Sequence, residues 1–236
     1  MTAQKILLVG ISGCSSSGKT TLAKIITNLI PSAVLLHEDD FFKHDEAIPF
    51  DEKFQVSNWD SPAALDLPLF RKELDHIRET GNISAQLIHN DNHDNNSGVS
   101  LNAQTQRKIE EKFDTAFRNS NVTVVIVDGF MMYHDAELSK KFDLKVLIRA
   151  PYITLKNRRA ARSGYKTLES FWVDPPFYFD EFVYKSYRES HAHLFKNGDV
   201  EGKIKADSGV SDYMNDDSTD INEALMWLCD LIVMLR

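Results

Sequence analysis

One stretch limits the topology of this chain more than any other. Lys5–Ile11 (KILLVGI) is a short apolar run, the pattern of a strand buried on both faces. Lys19–Ile30 then places Leu22, Ile25, Ile26 and Leu29 at helical spacing, and Pro31 ends the pattern. Between them, Gly13-Cys-Ser-Ser-Ser-Gly18-Lys19-Thr20 fits G-x-x-x-x-G-K-[ST]. A glycine-bordered loop in that place presents backbone N–H groups at a helix N-terminus, where the helix dipole adds positive potential. The motif predicts a phosphate cradle of Gly13, Ser15, Ser16, Ser17, Gly18 and Thr21. Lys19 would reach the outer phosphates, and the Thr20 hydroxyl would hold Mg²⁺. A plain Gly/Ser connector is the alternative, and it gives the Lys-Thr pair no purpose.

The rest of the chain alternates strand and helix. Strands are predicted at Ala33–His37, at Val122–Val127 closed by Asp128-Gly129, and in Phe142–Arg149 before Pro151. Helices are predicted around Leu65–Ile77 with Gly81 as the stop, from Tyr152 to Gly164, from Tyr178 to Phe195 and from Ile221 onward. Strands separated by helices imply an α/β fold of the P-loop NTPase kind. Its sheet would be doubly wound, mostly parallel and flanked by helices. Ligands bind such sheets at the carboxyl ends of the strands, where Asp39, Asp40 and Asp128 fall. At 236 residues, residues 1–236 read as a single domain.

Composition narrows the partners. A formal net charge of −8 argues against a nucleic-acid surface. No run reaches the roughly 18 apolar residues of a membrane span, and the N-terminus lacks a signal-peptide pattern. Cys14 and Cys229 give neither a disulfide framework nor metal spacing, which points to a reducing compartment: the cytoplasm, with the nucleus as the alternative. Cys14 reads as a loop filler or as a reactive thiol, depending on its exposure. His89–Asn102 is rich in Asn, Asp, Ser and Gly and reads as a long mobile insertion, and Lys205–Asp220 reads as a second polar loop.

The acids and bases suggest roles. Asp128, at the end of an apolar run, suits a second carboxylate for Mg²⁺ opposite Thr20. Its alternative is an ordinary Asp-Gly turn. Asp39 and Asp40 alternate in direction if the chain there stays extended, so one would face the phosphate loop and accept a proton while the other makes a structural bond. Lys156, Arg158, Arg159, Arg162 and Lys166 make a basic lid segment over residues 156–166, or else a solvated helix face.

Taken together, "GISGCSSSGKTTLAK", "HEDDFFKHD", "NWDSPAALD", "VDGFMMY", "LKNRRAARSGY" and "DPPFYFDEFVYKSY" resemble the nicotinamide riboside kinases, a family within the uridine-kinase-like branch of P-loop kinases. The resemblance covers nearly the whole chain and is closest to fungal-type members. It implies transfer of a phosphoryl group from ATP, with GTP as an alternative donor, to the 5′-hydroxyl of nicotinamide riboside, and of nicotinic acid riboside as a second substrate. It implies Asp39 as the base, Phe42 against the nicotinamide ring, and Trp59 with Asp60 on the ribose, the carboxylate taking the 2′ and 3′ hydroxyls. Arg158, Arg159 and Arg162 match the arginine-rich lid, with Arg159 also on the substrate side, and Tyr165 matches a substrate-side tyrosine. Two departures stand out: Asp128 replaces the Glu of many relatives, shortening its reach, and Gly164 is an extra residue before Tyr165. Two other readings remain open at this level: a uridine/cytidine kinase, and a nucleotide-dependent switch, which the lack of an N-K-x-D motif weakens. Monomer and homodimer are not distinguished.

Overall fold

The computed structural model describes residues 4–85, 87, 101–118 and 120–236. Its main sheet has five parallel strands: β1 (Lys5–Ser12), β2 (Val34–His37), β3 (Val122–Gly129), β4 (Leu144–Arg149) and β5 (Ser211–Met214). They lie in the order β2-β3-β1-β4-β5. Central β1 runs in register with β3 from Lys5 opposite Val122 to Ser12 opposite Gly129.

The helices α1 (Lys19–Leu29), α2 (Leu67–Thr80), α3 (Ala103–Phe117), α4 (Tyr152–Ala160), α5 (Lys185–His191) and α6 (Ile221–Val233) cover both faces. Alternate side chains of each strand serve opposite faces. Val9, Ile11, Ile126 and Ile148 pack with Leu22 and Ile26 of α1, Phe113 of α3 and Leu228 of α6. Leu8, Leu36, Val127 and Leu147 pack with Phe70, Leu74 and Ile77 of α2 and with Phe182 and Tyr187 near α5. Burial on both faces is why these strands read as unbroken apolar runs. Among the described residues, no helix is long and apolar enough to cross a membrane.

Three local expectations need correction. The segment Lys205–Asp220 is not all loop, because it contains β5, an edge strand paired with β4 from Val146 opposite Ser211 to Arg149 opposite Met214. Four residues with polar Ser and Asp carry no apolar signature, and the sheet supplies the pairing. The basic helix stops at Ala160, four residues before Gly164, and the chain turns into a hairpin of Tyr165–Lys166 with Phe171–Trp172. Ser61 and Pro62 open a 3₁₀ turn, Pro62–Ala64, with the Ser61 hydroxyl accepting from Ala63 N–H at 3.1 Å. The long helix starts later, capped by Asp66, which accepts from Leu69 N–H at 2.9 Å, and ends at Gly81 in a left-handed conformation. Finally, Glu38–Phe41 is a 3₁₀ turn, so strand alternation does not govern the acids there. The predicted helix Tyr178–Phe195 is present, but it begins with wider π-type turns over Phe179–Tyr184 before α5. Residues 89–100 of the predicted insertion lie outside the described residues, while Asn102 caps α3.

Candidate functional site

The carboxyl ends of β1, β2 and β3 meet at the loop Gly13–Gly18. Gly13 adopts φ 154°, and a Cβ there would lie 2.2 Å from the Ile148 carbonyl oxygen, so only glycine lets the loop pass β4. The loop closes with Ser17 N–H donating to the Cys14 carbonyl at 3.1 Å. The hydroxyls of Ser16 and Ser17 are buried without a protein partner. Buried polar groups are normally paired, so these donors fit an anion in the loop. Cys14 is buried, and burial pushes its thiol up to about 12, which makes it a filler and not a nucleophile.

Lys19, the first residue of α1, lies within electrostatic reach of Glu38, Asp39, Asp60 and Asp128. Asp128 and His37 are opposite one another in the β2–β3 register, and the His37 ring lies 3.1 Å from the Asp128 carboxylate. Burial pushes Asp128 up. The His37 hydrogen bond, the Lys19 and His37 charges and the Thr20 hydroxyl outweigh it and hold Asp128 below the usual carboxylate range. Its Oδ1 is buried without a protein partner. A carboxylate kept ionised, with a free oxygen and the Thr20 hydroxyl beside it, fits a magnesium ion.

Asp39 behaves oppositely. Burial raises it, Lys19 and His37 oppose that rise, and the charges of Asp128 and Asp40 add to it. Two neighbouring carboxylates driven apart in this way suit different tasks, one holding charge and one exchanging a proton. Glu38, in the same turn, makes structural bonds as well. Its Oε2 accepts from Phe130 N–H at 2.7 Å and Met131 N–H at 2.9 Å, and burial pushes it up to about 8.

A second set of groups faces this one. Asp60 is 6% exposed, and its Oδ2 lies 3.6 Å from Nη2 of Arg159. Arg159 also donates to Asp174 through Nε at 2.6 Å and Nη2 at 3.0 Å, and to the Ser15 hydroxyl at 2.8 Å. One guanidinium therefore joins the phosphate loop to the predicted sugar-binding acid. Burial raises Asp60 and Arg159 opposes the rise, while burial works against the Arg159 charge and Asp60 and Asp174 more than restore it. Tyr165 lies over the Arg159 guanidinium at 4.5 Å, and its hydroxyl is buried without a protein partner. The extra Gly164 has not displaced it from the site.

Aromatic rings wall the space beside Asp60. Phe42 meets Trp59 edge-on at 5.7 Å and stacks with Phe130 at 5.8 Å, and Trp59 lies 6.4 Å from Trp172. A small pocket, with room for about one water, lies beside Asp60 and is lined by Cys14, Ser15, Phe130, Met131, Val183 and Tyr187. Flat rings around a cleft suit a planar ligand. The hairpin bearing Trp172 is tied across the cleft to the segment after Phe42: Thr167 and Ser170 hydroxyls donate to Asp45 at 2.8 and 2.6 Å, and His44 pairs with Glu169 at 2.9 Å.

Lys19, Thr20, Asp39, Asp128, Phe42, Trp59, Asp60, Arg159 and Tyr165 thus converge. Arg162 is exposed, 5.2 Å from the Tyr165 ring. Arg158 takes another direction, donating to the Asn215 carbonyl at 3.0 Å and to Asp217 at 2.9 Å on the flank of the phosphate loop. Glu38, His37, Phe130, Trp172, Asp174 and Asn215 are additions. Of these, only His37 had a readable signal, its place at the end of a strand. No family model matches the chain.

Known proteins resemble it throughout. A nicotinamide riboside kinase of Saccharomyces cerevisiae is 52% identical over 100% of this chain and 99% of its own length, and one of Eremothecium gossypii is 49% identical over 96% and 92%. A uridine kinase of Borrelia hermsii is 31% identical over 70% of this chain and 72% of its own. Identity of about half over nearly the full length of both chains places this chain in the nicotinamide riboside kinase family.

Proposed function

We propose that the protein transfers the γ-phosphoryl group of ATP to the 5′-hydroxyl of nicotinamide riboside, giving the mononucleotide that feeds NAD synthesis. The observation that carries this reading is the buried Asp60–Arg159 pair, fastened to the phosphate loop through Ser15. A carboxylate has two acceptor oxygens, so Asp60 can take both ribose hydroxyls, while the Arg159 charge opposes the rise that burial imposes on it. The aromatic wall of Phe42, Trp59 and Phe130 holds the base. With the sugar gripped at Asp60, its 5′ end is directed toward Lys19 and Asp39. Asp39 accepts the hydroxyl proton. Lys19, Arg159 and Arg162 balance charge on the phosphates. Thr20 and Asp128 would hold a magnesium ion, which supplies charge neutralisation at the phosphate oxygens.

The whole chain serves as one kinase domain, with residues 156–166 as its lid. The partner is a small riboside and not a nucleic acid, in keeping with the acidic chain. Two free, buried thiols suit a reducing cytoplasm. The test is product formation from nicotinamide riboside, nicotinic acid riboside, uridine and cytidine, each with ATP and with GTP. The expected order places nicotinamide riboside with ATP first by kcat/KM. Preference for uridine or cytidine would make the pyrimidine reading the correct one.

A further inference from the structure

Asn215 follows the last residue of β5 and belongs to no recognised motif, yet three parts of the donor side meet on it. Its side-chain amide donates to the Ser17 carbonyl at 2.7 Å. The amide orientation follows from chemistry, because a carbonyl oxygen can only accept. Its backbone N–H donates to the Arg149 carbonyl at 2.7 Å, anchoring it to β4. Its own carbonyl accepts from Arg158 at 3.0 Å, so an arginine of the lid helix rests on the same residue. The fit over the loop is close: a Cβ on Gly18 would lie 2.4 Å from the Asn215 amide nitrogen. The second motif glycine therefore makes room for Asn215 as well as adopting its own φ of 92°.

The peptide between Ser17 and Gly18 is trans and planar, so its C=O and N–H point in opposite directions. A donor fixed on the C=O turns the Gly18 N–H to the other side of the loop. Glycine on one side of a peptide makes that peptide easy to rotate, and a rotated peptide would present a carbonyl oxygen where an anion needs an N–H. We propose that Asn215 is a positioning residue for the phosphate donor: it locks the Ser17–Gly18 peptide with the Gly18 N–H toward bound phosphate and seats Arg158 of the lid on the same clamp. This rests on reading Gly13–Thr20 as the phosphate site.

The test combines calorimetry of MgADP binding, steady-state kinetics and glycine-labelled amide NMR on the full chain. In the wild-type protein, the Gly18 amide resonance is expected to move strongly when MgADP is added. Asn215→Ala is expected to weaken MgADP about three- to tenfold, the effect of one lost hydrogen bond. The KM for ATP rises by the same factor while the riboside KM stays within twofold. Asn215→Leu keeps the side-chain shape without a donor and is expected to match Asn215→Ala. If Leu restores wild-type binding, the residue only packs and the proposal is wrong. An unmoved Gly18 resonance in the wild type also overturns it. Lys19→Ala serves as the control: if that variant binds MgADP normally, the fault lies with the phosphate-site reading itself.

Discussion

The donor half of the cleft is built from backbone and the acceptor half from side chains. Gly13–Gly18 makes its cradle within one loop, with glycines where side chains would collide. The acceptor half gathers Phe42, Trp59, Asp60, Phe130, Arg159, Trp172 and Asp174 from separate segments, and most of its contacts run between side chains. The shape of the first rests on backbone conformation, with Lys19 and Thr20 as its working side chains. The second rests on side-chain contacts, and its members depend on partners far along the chain.

The largest expected effect lies where the halves meet. Asp39→Asn should lower kcat by about 10²–10⁴, the usual span for a positioned acid–base group, with little change in either KM. Steady-state kinetics on Asp39→Asn and Asp40→Asn decide it. A crippled Asp40 variant beside an active Asp39 variant would exchange the two roles.

Adjacent arginines test the contrast directly. Arg159→Ala leaves Asp60 buried without its cation and should cost about 3–5 kcal/mol of stability. Arg158→Ala removes a bridge to the largely exposed Asp217 and should cost no more than about 1 kcal/mol. It should act on the KM for ATP and leave the riboside KM alone. Denaturant melts and kinetics on both variants measure this, and equal losses would erase the distinction between the halves.

Acid should loosen the acceptor half first. His191, on α5 beneath that half, is fully buried, with Nδ1 3.0 Å from the Tyr187 carbonyl and Nε2 unpartnered. Burial is the main cause that lowers it to about 4, the Tyr187 carbonyl opposes this, and His193 and His134 add to it. An unfolded histidine titrates near 6.5, so between about pH 6.5 and 4 the unfolded chain holds the extra proton. Stability therefore falls as pH drops through that window and is flat above it, with a loss of about 2 kcal/mol by pH 5 from this group. Hydrogen exchange at pH 7 and pH 5 should show α5 losing protection before α1. His191→Gln should remove most of that pH dependence, and an unchanged acid profile in the variant would assign it elsewhere.

The smallest effect probes the sugar. Wild-type enzyme should prefer the riboside over its 2′-deoxy analogue by about tenfold or more, because the analogue leaves a buried charged acceptor short of a donor. Asp60→Ala should lose most of that preference along with kcat/KM. A ratio that survives the substitution would reduce Asp60 to a structural acid and leave the acceptor half without its anchor.

The same contrast explains what was legible beforehand. Gly13–Thr20 could be read because strand, loop and helix are contiguous, and the buried parallel strands because they are unbroken apolar runs. β5 was hidden by its length and polarity. Arg158 and Arg159 are neighbours on α4, about 100° apart around its axis, and nothing in "KNRRAARS" says which faces which half. The pairing of His37 with Asp128 exists only in the register between strands distant in sequence. Trp172 and Asp174 enter the site through a hairpin after Gly164 that no periodic pattern marks. Family resemblance supplied Trp59 and Asp60, which spacing alone could not single out.

Arg159 has one more consequence. Its guanidinium touches Ser15 of one half and Asp60 of the other, and Tyr165 lies across it. If both occupants of the cleft meet Arg159, as the proposed function has it, their affinities are coupled through it. By linkage, whatever factor the nucleotide imposes on riboside affinity, the riboside must return to the nucleotide. Order of addition can change the path to the ternary complex, but the product of the affinities along either path is the same, and on the proposed reading Arg159 is where the coupling would sit.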